Sequence, residues 1–200
     1  MLYGLNIMKI HELIAKANEA YASSNTSLAM EFLKEAGEIG DVNAALDYAY
    51  FLYRLNPIEA VQYLESVSCA ENAIVQYHAL LIAYFSDLIT ESFNVASRLI
   101  SLAEKGVVEA NLVILSYLPK NSDEFSSIAG KIRKLAPNIY KQLKLDDYVN
   151  DKGLTTDINK ITACLHNALN DATQLRCRLD DNLPVEVFEN TLWAFECNYL

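Results

Sequence analysis

The sequence predicts an all-α protein, an α-solenoid of about four antiparallel helix pairs followed by a small mixed or helical C-terminal region. The first observation is the scarcity of turn residues. The 200 residues include six glycines and four prolines, too few for the many turns of an all-β fold. The second is the recurrence of apolar residues at helical spacing. The third is a repeated turn: residues 36–44 and 103–110 each end an apolar helix, turn on a glycine and restart at an alanine.

The first four helices are predicted from capping residues and apolar stripes. Gly40 stands where a left-handed residue ends a helix, and Asp41 or Asn43 is suited to cap the helix that follows. Asn56-Pro57 marks a boundary, because proline disfavours helix in the residue before it and starts a new helix well. These signals place helices at about residues 8–21, 28–39, 44–55 and 57–67.

The next four helices are predicted at about residues 72–85, 93–104, 108–118 and 122–135. The last of them begins at Asn121-Ser122-Asp123-Glu124, which supplies capping and acidic residues, and it ends before Pro137. Residues 1–136 therefore form the predicted helical repeat domain. Residues 137–157 are a predicted linker with a short helix near its start, and residues 158–200 are a small C-terminal region.

The helices of the four pairs share positions. The second helices carry small and large apolar residues in one frame, namely Ala29, Leu33 and Ala36, then Ala60, Leu64 and Val67, then Ala96, Ile100 and Ala103. The first helices carry a tyrosine near their ends: Tyr21, Tyr53, Tyr84 and Tyr117. Small alanines at fixed places let neighbouring helices approach closely. Because one pair cannot bury its apolar face alone, we expect the pairs to stack.

One motif carries a family resemblance. The pattern Ala-x6-Ala followed by a glycine and a further alanine, seen in Ala29, Ala36, Gly40 and Ala44, resembles the Sel1-like and tetratricopeptide repeats. The resemblance covers about residues 8–135. The glycine usual between the two helices of a Sel1-like pair is absent, and Asn56-Pro57 replaces it once. The resemblance implies a right-handed superhelix whose concave face binds peptides or partner proteins.

Tyrosines are the candidate binding residues. Six of them fall on predicted first helices, which line the concave face in this architecture: Tyr48, Tyr50, Tyr53, Tyr77, Tyr84 and Tyr117. Tyrosine combines a large apolar surface with a hydroxyl, which suits it to a peptide groove. The alternative interpretation is that each ring packs between repeats with its hydroxyl at the edge. Both interpretations stay open at the level of sequence.

The charge of the chain limits the classes of partner. Its formal net charge is −10, so it repels phosphate backbones and we expect no nucleic-acid partner. The short basic run Lys131-Ile132-Arg133-Lys134 is interpreted as a last helical turn favoured by the helix dipole. No apolar run is long enough to cross a membrane, and no basic residue precedes the short apolar patch at Leu5–Met8. We therefore expect a cytoplasmic protein with no membrane contact, whose partner is a protein or peptide, preferably a basic one.

The sequence offers no complete catalytic, metal or cofactor constellation. None of the three histidines, His11, His78 and His166, is followed two residues later by Asp or Glu, as a non-haem iron site commonly requires. The four cysteines, Cys69, Cys164, Cys177 and Cys197, form no C-x-x-C pair, so free thiols are expected rather than a zinc site. No glycine-rich phosphate loop is present. We therefore expect no catalysis, cofactor or metal within these 200 residues.

The function predicted first is a non-enzymatic protein-interaction module that binds a partner segment in a concave helical groove. A second resemblance supports an alternative. Residues 182–188 and the apolar helix after them are similar to the segment that leads into the catalytic domain of prolyl-4-hydroxylase-like 2-oxoglutarate- and iron-dependent dioxygenases. That resemblance implies a non-catalytic, substrate-recruiting N-terminal part whose catalytic barrel lies beyond Leu200. A third alternative is a scaffold that forms a homodimer through the C-terminal helix.

Overall fold

The computed structural model describes residues 2–86, 88–89, 92–149 and 157–170. The described part of the chain is helical and contains no strand. Its helices, numbered in chain order, are α1 Leu2–Ala22, α2 Thr26–Ile39, α3 Val42–Leu55, α4 Pro57–Ser66, α5 Ala73–Phe85, α6 Ser92–Glu104, α7 Val108–Tyr117, α8 Asp123–Leu135, α9 Pro137–Gln142 and α10 Ile158–Asn170. A 3-10 helix, Leu145–Tyr148, follows α9. The all-α prediction is therefore confirmed for these residues.

The helix boundaries follow the local capping chemistry. Side chains of the residues that precede the helices accept hydrogen bonds from backbone N–H groups in the first turns of α2, α3, α4, α5 and α8; these N-caps are Asn25, Asp41, Asn56, Asn72 and Ser122. Pro57 and Pro137 open α4 and α9, where a missing N–H costs nothing. The first helix begins earlier than predicted, at Leu2.

The two glycine turns share one backbone geometry. Gly40 and Gly106 have positive φ angles of 123° and 89°. In each turn, the N–H groups of the glycine and of the next residue donate to carbonyls in the last turn of the preceding helix. This is the Schellman arrangement, and it confirms the predicted left-handed cap at Gly40. The similarity of the two sequence segments therefore reflects the same way of ending a helix.

Alignment of the two turns on their glycines corrects one detail of the sequence interpretation. That interpretation placed Ala36 and Ala103 at the same position of the repeat. With the glycines matched, Ala103 instead corresponds to Gly37, and Ala45 corresponds to Asn111. The offset arises because the segment from alanine to glycine is one residue longer in the first turn.

The chain divides into two compact units, Met1–Thr90 and Glu91–Leu200, here called unit 1 and unit 2. In unit 1, each of the helices α1 to α5 packs against the next, and α3 also contacts α5. Its first core cluster is built from Leu13, Ala17, Met30, Leu33, Ala36 and Ala44, with Phe32, Ile39, Tyr48 and Phe51 packed against it. Of the apolar residues predicted at shared positions, those of the first two second helices are buried, namely Ala29, Leu33, Ala36, Ala60, Leu64 and Val67. Phe32 and Val61, also predicted to face inward, are half-buried.

In unit 2, α6 to α9 pack in chain order, and α10 packs against α6 and α7. The division between the two compact units falls in the segment that joins α5 and α6, two helices that the sequence interpretation assigned to one pair. The domain limits predicted at residues 136 and 157 stay a prediction. Of the predicted linker, residues 137–148 form α9 and the 3-10 helix. The segment 182–188, the predicted last helix, Cys177 and Cys197 lie outside the described residues.

Candidate functional site

The six predicted tyrosines are divided between the two units. Tyr48, Tyr50 and Tyr53 lie on α3, and Tyr77 and Tyr84 lie on α5, all in unit 1. The sixth, Tyr117, is the last residue of α7 in unit 2, where it is half-buried. The candidate site of unit 1 is therefore built from α3 and α5, which are in contact.

Two of these tyrosines are core residues. Tyr50 and Tyr77 are 7% and 2% exposed. The hydroxyl of Tyr50 shares a hydrogen bond of 2.6 Å with Nδ1 of His78, and the two rings meet edge to face with centroids 5.7 Å apart. Tyr50 and Tyr77 pack between helices, so neither ring offers surface to a partner.

The bond between Tyr50 and His78 links α3 directly to α5. Burial lowers the pKa of His78 to about 4, so its imidazole is neutral near pH 7. A neutral ring suits this position, since a charged imidazole would lose its hydration on burial. The pair therefore acts as a polar connection that holds the register of the two helices.

Tyr48 is half-buried on the other side of α3, where α2 and α4 meet it. Its ring packs edge to face against Tyr63 of α4, with centroids 4.9 Å apart, and the Lys34 ammonium lies 5.9 Å from its centroid. The Tyr63 hydroxyl is buried, has no hydrogen-bond partner in the described part of the chain and lies over Gly37 of α2. Burial, followed by the negative charge of Glu38, raises the pKa of Tyr63. Tyr48 is thus part of a helix contact rather than an open surface.

The last two tyrosines of unit 1 lie beside exposed apolar side chains that the sequence analysis did not select. Tyr53 and Tyr84 are half-buried near the C-terminal ends of α3 and α5. Leu55, Ile58 and Phe85 are 70%, 52% and 53% exposed. Phe85 also packs edge to face against Tyr84, with centroids 5.5 Å apart.

The helix register brings these residues to one end of unit 1. The short α4 lies between α3 and α5 in the chain and packs against both, so α3 and α5 run in the same direction. Leu55 lies five residues after Tyr50 in α3, and Tyr84 and Phe85 lie six and seven residues after its hydrogen-bond partner His78 in α5. Ile58 follows directly, in the first turn of α4. We call the five residues Tyr53, Leu55, Ile58, Tyr84 and Phe85 the apolar tip.

The sequence held a weak signal for the apolar tip. Leu55 directly precedes the Asn56-Pro57 turn, and Phe85 is the last residue of its helix. Each therefore lies at the end of a helix, where packing against neighbouring helices stops. From the sequence, leucine and phenylalanine in an apolar stripe are predicted to be core residues. Only the tertiary packing shows where the stripe extends beyond the core.

The surface around the apolar tip belongs to an acidic unit. Residues 1–90 contain eleven acidic and four basic side chains. The three lysines among them are paired with glutamates: Lys9 with Glu35 at 2.8 Å, Lys16 with Glu12 at 2.6 Å and Lys34 with Glu38 at 3.9 Å. The excess of carboxylates therefore gives unit 1 a negative field that favours a cationic partner.

The described residues contain no group of three or more His, Cys, Asp or Glu side chains able to hold a metal ion. Cys69 and Cys164 are free thiols, and burial raises the pKa of the Cys69 thiol, which disfavours the reactive thiolate. His78 is engaged by the hydroxyl of Tyr50. The expectation that the whole chain lacks a metal and a cofactor stays a prediction.

Comparison of the chain with protein-family models, curated proteins and solved structures finds no match. No helix in the described ranges is long and apolar enough to cross a membrane.

Proposed function

We propose that the protein is a non-catalytic interaction module that binds a protein or peptide partner at the apolar tip of unit 1. The observation that supports this proposal is the exposure of Leu55, Ile58 and Phe85 beside two half-buried tyrosines at one end of α3 and α5. Single exposed apolar residues are common on proteins, whereas several that adjoin one another mark a surface for binding.

The composition of the tip suits a short protein segment. Burial of each of its three most exposed apolar side chains would contribute about 1–2 kcal/mol. Tyr53 and Tyr84 add area at low cost in conformational entropy, because their rings are already partly packed. The acidic surroundings favour a segment that carries lysine or arginine next to its apolar residues.

The proposal includes the finer architecture, a solenoid of the Sel1-like and tetratricopeptide type. The packing of each helix of unit 1 on the next, together with the contact between α3 and α5, is the pattern that stacked helix pairs produce. In such a solenoid, α3 and α5 are neighbouring first helices and belong to the concave face. The Tyr50–His78 bond would then hold that face together behind the tip.

The test is a selection of binders from a phage-displayed library of random peptides on the purified, immobilised full chain. We expect enriched peptides that combine basic residues with aromatic or aliphatic ones. Their affinity, measured by fluorescence anisotropy, should fall by at least about tenfold with the variant Leu55→Glu/Phe85→Glu, because two desolvated anchors are replaced by charges.

The matched control is Ile7→Glu/Met8→Glu, which makes the same chemical change at two exposed apolar residues of α1. The control should bind the selected peptides within about twofold of the unchanged chain. If both double variants lose binding equally, or if no peptide is enriched, the apolar tip is not the binding surface.

A further inference from the structure

A second charged surface lies on unit 2. Part of it is the short basic run that was interpreted from the sequence as a last helical turn. Lys131, Arg133 and Lys134 are in the last turns of α8, Lys141 is in α9, and Lys144 follows α9. All are exposed except Lys131, which is half-buried. We call these five residues the basic face.

The packing of α8 against α9 joins the two halves of the basic face. The Arg133 guanidinium lies 5.5 Å from the ring centroid of Tyr140 in α9. Tyr140 is itself buried, and its hydroxyl donates a 2.7 Å hydrogen bond to the carboxylate of Asp146. The buried ring is therefore a fixed support for Arg133, and Lys141 is the next residue of α9.

No carboxylate of the described residues forms a close ion pair with the basic face. Within the described residues, none of its five cations lies within 4.0 Å of a carboxylate. The lysines of unit 1 all have glutamate partners, and in unit 2 Lys160 lies 3.4 Å from Glu124. Asp146, the carboxylate nearest in the sequence, accepts the hydrogen bond from Tyr140. Among the described residues, the basic face thus has no ion pair within 4.0 Å, on a chain whose net charge is −10.

The helix dipole explains only part of this arrangement. The negative end of α8 favours the three cations in its last turns. α9 has six residues and a correspondingly weak dipole. Lys144 lies beyond α9 at φ 50° and ψ 42°, a left-handed conformation that a glycine would adopt at lower cost.

We infer that the basic face binds an acidic peptide segment of a partner protein, one that pairs glutamate or aspartate with an apolar residue. A short acidic segment can pair with the five cations without approaching the acidic remainder of the chain. Leu135, 46% exposed and next to Lys134, offers such a segment an apolar contact. The inference is independent of the apolar tip, which lies in unit 1 and favours a partner of opposite charge.

Nucleic acid fits this surface less well. A long polyanion would extend past the basic face onto a chain with a net charge of −10. Binding of single strands also uses exposed aromatic rings on which bases stack, whereas Tyr140, the ring beneath Arg133, is buried.

The test uses the full chain and a fluorescein-labelled peptide of repeated Glu-Glu-Leu triplets, followed by fluorescence anisotropy near physiological ionic strength. The variant compared with the unchanged chain removes three charges of the basic face: Arg133→Gln/Lys134→Gln/Lys141→Gln. Exposed ion pairs are individually weak, so loss of three together should weaken binding by about tenfold or more. Binding to the unchanged chain should also weaken severalfold as salt rises, since these charges are exposed.

The matched control removes the same number of charges from lysines that already have partners: Lys9→Gln/Lys16→Gln/Lys34→Gln. It changes the net charge equally and should bind the peptide within about twofold of the unchanged chain. Equal losses in both triple variants would overturn the inference, because net charge alone would then account for binding. Tighter binding of a labelled single-stranded DNA oligonucleotide than of the peptide would overturn it as well.

A third outcome concerns acidic residues of the same chain. Residues 179–200 contain five acidic residues, no basic residue and Trp193, the one tryptophan of the sequence. If Trp193 emission changes in the basic-face variant and not in the control variant, these residues occupy the basic face, and the inference of a partner segment is wrong. Unchanged emission together with the tenfold loss of peptide binding supports it.

Discussion

Gly37 of α2 provides the sharpest test of how closely the helices of unit 1 pack. A Cβ atom at this position would lie 2.8 Å from Cα and 3.0 Å from Cβ of Ala45 on α3, and it would also meet the hydroxyl of Tyr63. The Ala45 contact involves backbone, so it cannot be relieved by a side-chain rotation. We therefore predict that Gly37→Ala destabilises unit 1 although alanine is the better helix former.

The magnitude follows from two opposing effects. An extra methyl group forced into a packed helix contact costs about 1–3 kcal/mol. Replacement of glycine by alanine inside a helix returns about 0.5–1 kcal/mol. The expected net loss is about 1–2 kcal/mol in the free energy of unfolding, measured by urea denaturation followed by far-UV circular dichroism. For a unit of this size, a loss of 1 kcal/mol lowers the melting temperature by about 4–8 °C.

Gly130 supplies the matched control. It lies within α8, and a Cβ atom there would meet nothing within 4 Å. Gly130→Ala should therefore stabilise the chain by about 0.5–1 kcal/mol through helix propensity alone. The two substitutions are chemically identical and should act with opposite signs. If Gly37→Ala is as stabilising as Gly130→Ala, the contact between α2 and α3 is looser than the structure indicates, and the reasoning fails.

Four further predictions follow from buried polar groups and from backbone geometry. Tyr63→Phe removes a buried hydroxyl without a partner, so urea denaturation should show unchanged stability or a gain of up to about 1 kcal/mol; a loss above 1 kcal/mol would reveal an unseen hydrogen bond. Because the folded pKa of His78, about 4, lies below the unfolded value near 6.5, the unfolded chain binds more protons as pH falls. Stability should then drop by about 1–2 kcal/mol between about pH 7 and about pH 5, and His78→Gln should remove most of that drop in denaturation curves at the two pH values. Asn111, fully buried, donates to the carbonyls of Ala103 and Val107, so Asn111→Asp should cost about 3 kcal/mol or more by thermal denaturation, clearly more than Asn111→Ala, and equal losses would contradict this role. Lys144→Gly should raise stability by up to about 1 kcal/mol while weakening the binding of the acidic peptide, a combination that a purely structural lysine would not show.

Most helix boundaries of this protein can be derived from residues within one turn of them. Asn56 accepts hydrogen bonds from the N–H groups of Ile58 and Glu59, and Pro57 begins α4. Gly40 and Gly106 adopt positive φ angles at the ends of their helices. Capping and turn geometry depend on neighbours in the sequence, which is why the eight predicted helices, apart from the start of α1, occur within a few residues of their predicted positions.

The candidate site was only partly predictable. The sequence selected tyrosines by residue type and by position on first helices, yet Tyr50 and Tyr77 are core residues, while the neighbouring Leu55 and Phe85 are exposed. An apolar stripe shows that one side of a helix faces other apolar residues. It does not show how far the neighbouring helix extends along that side. That length depends on where another part of the chain ends.

The sequence by itself determined the fold class, the ends of the helices and the excess of negative charge, because each follows from composition or from interactions within one turn. Tertiary structure alone decided that Gly37 must be small, that His78 is neutral and bonded to Tyr50, and that Arg133 of α8 lies over the ring of Tyr140 in α9. It also decided that α10 packs against α6 and α7. These features join residues distant in the chain, so they depend on the distances and register between helices, which no local pattern contains.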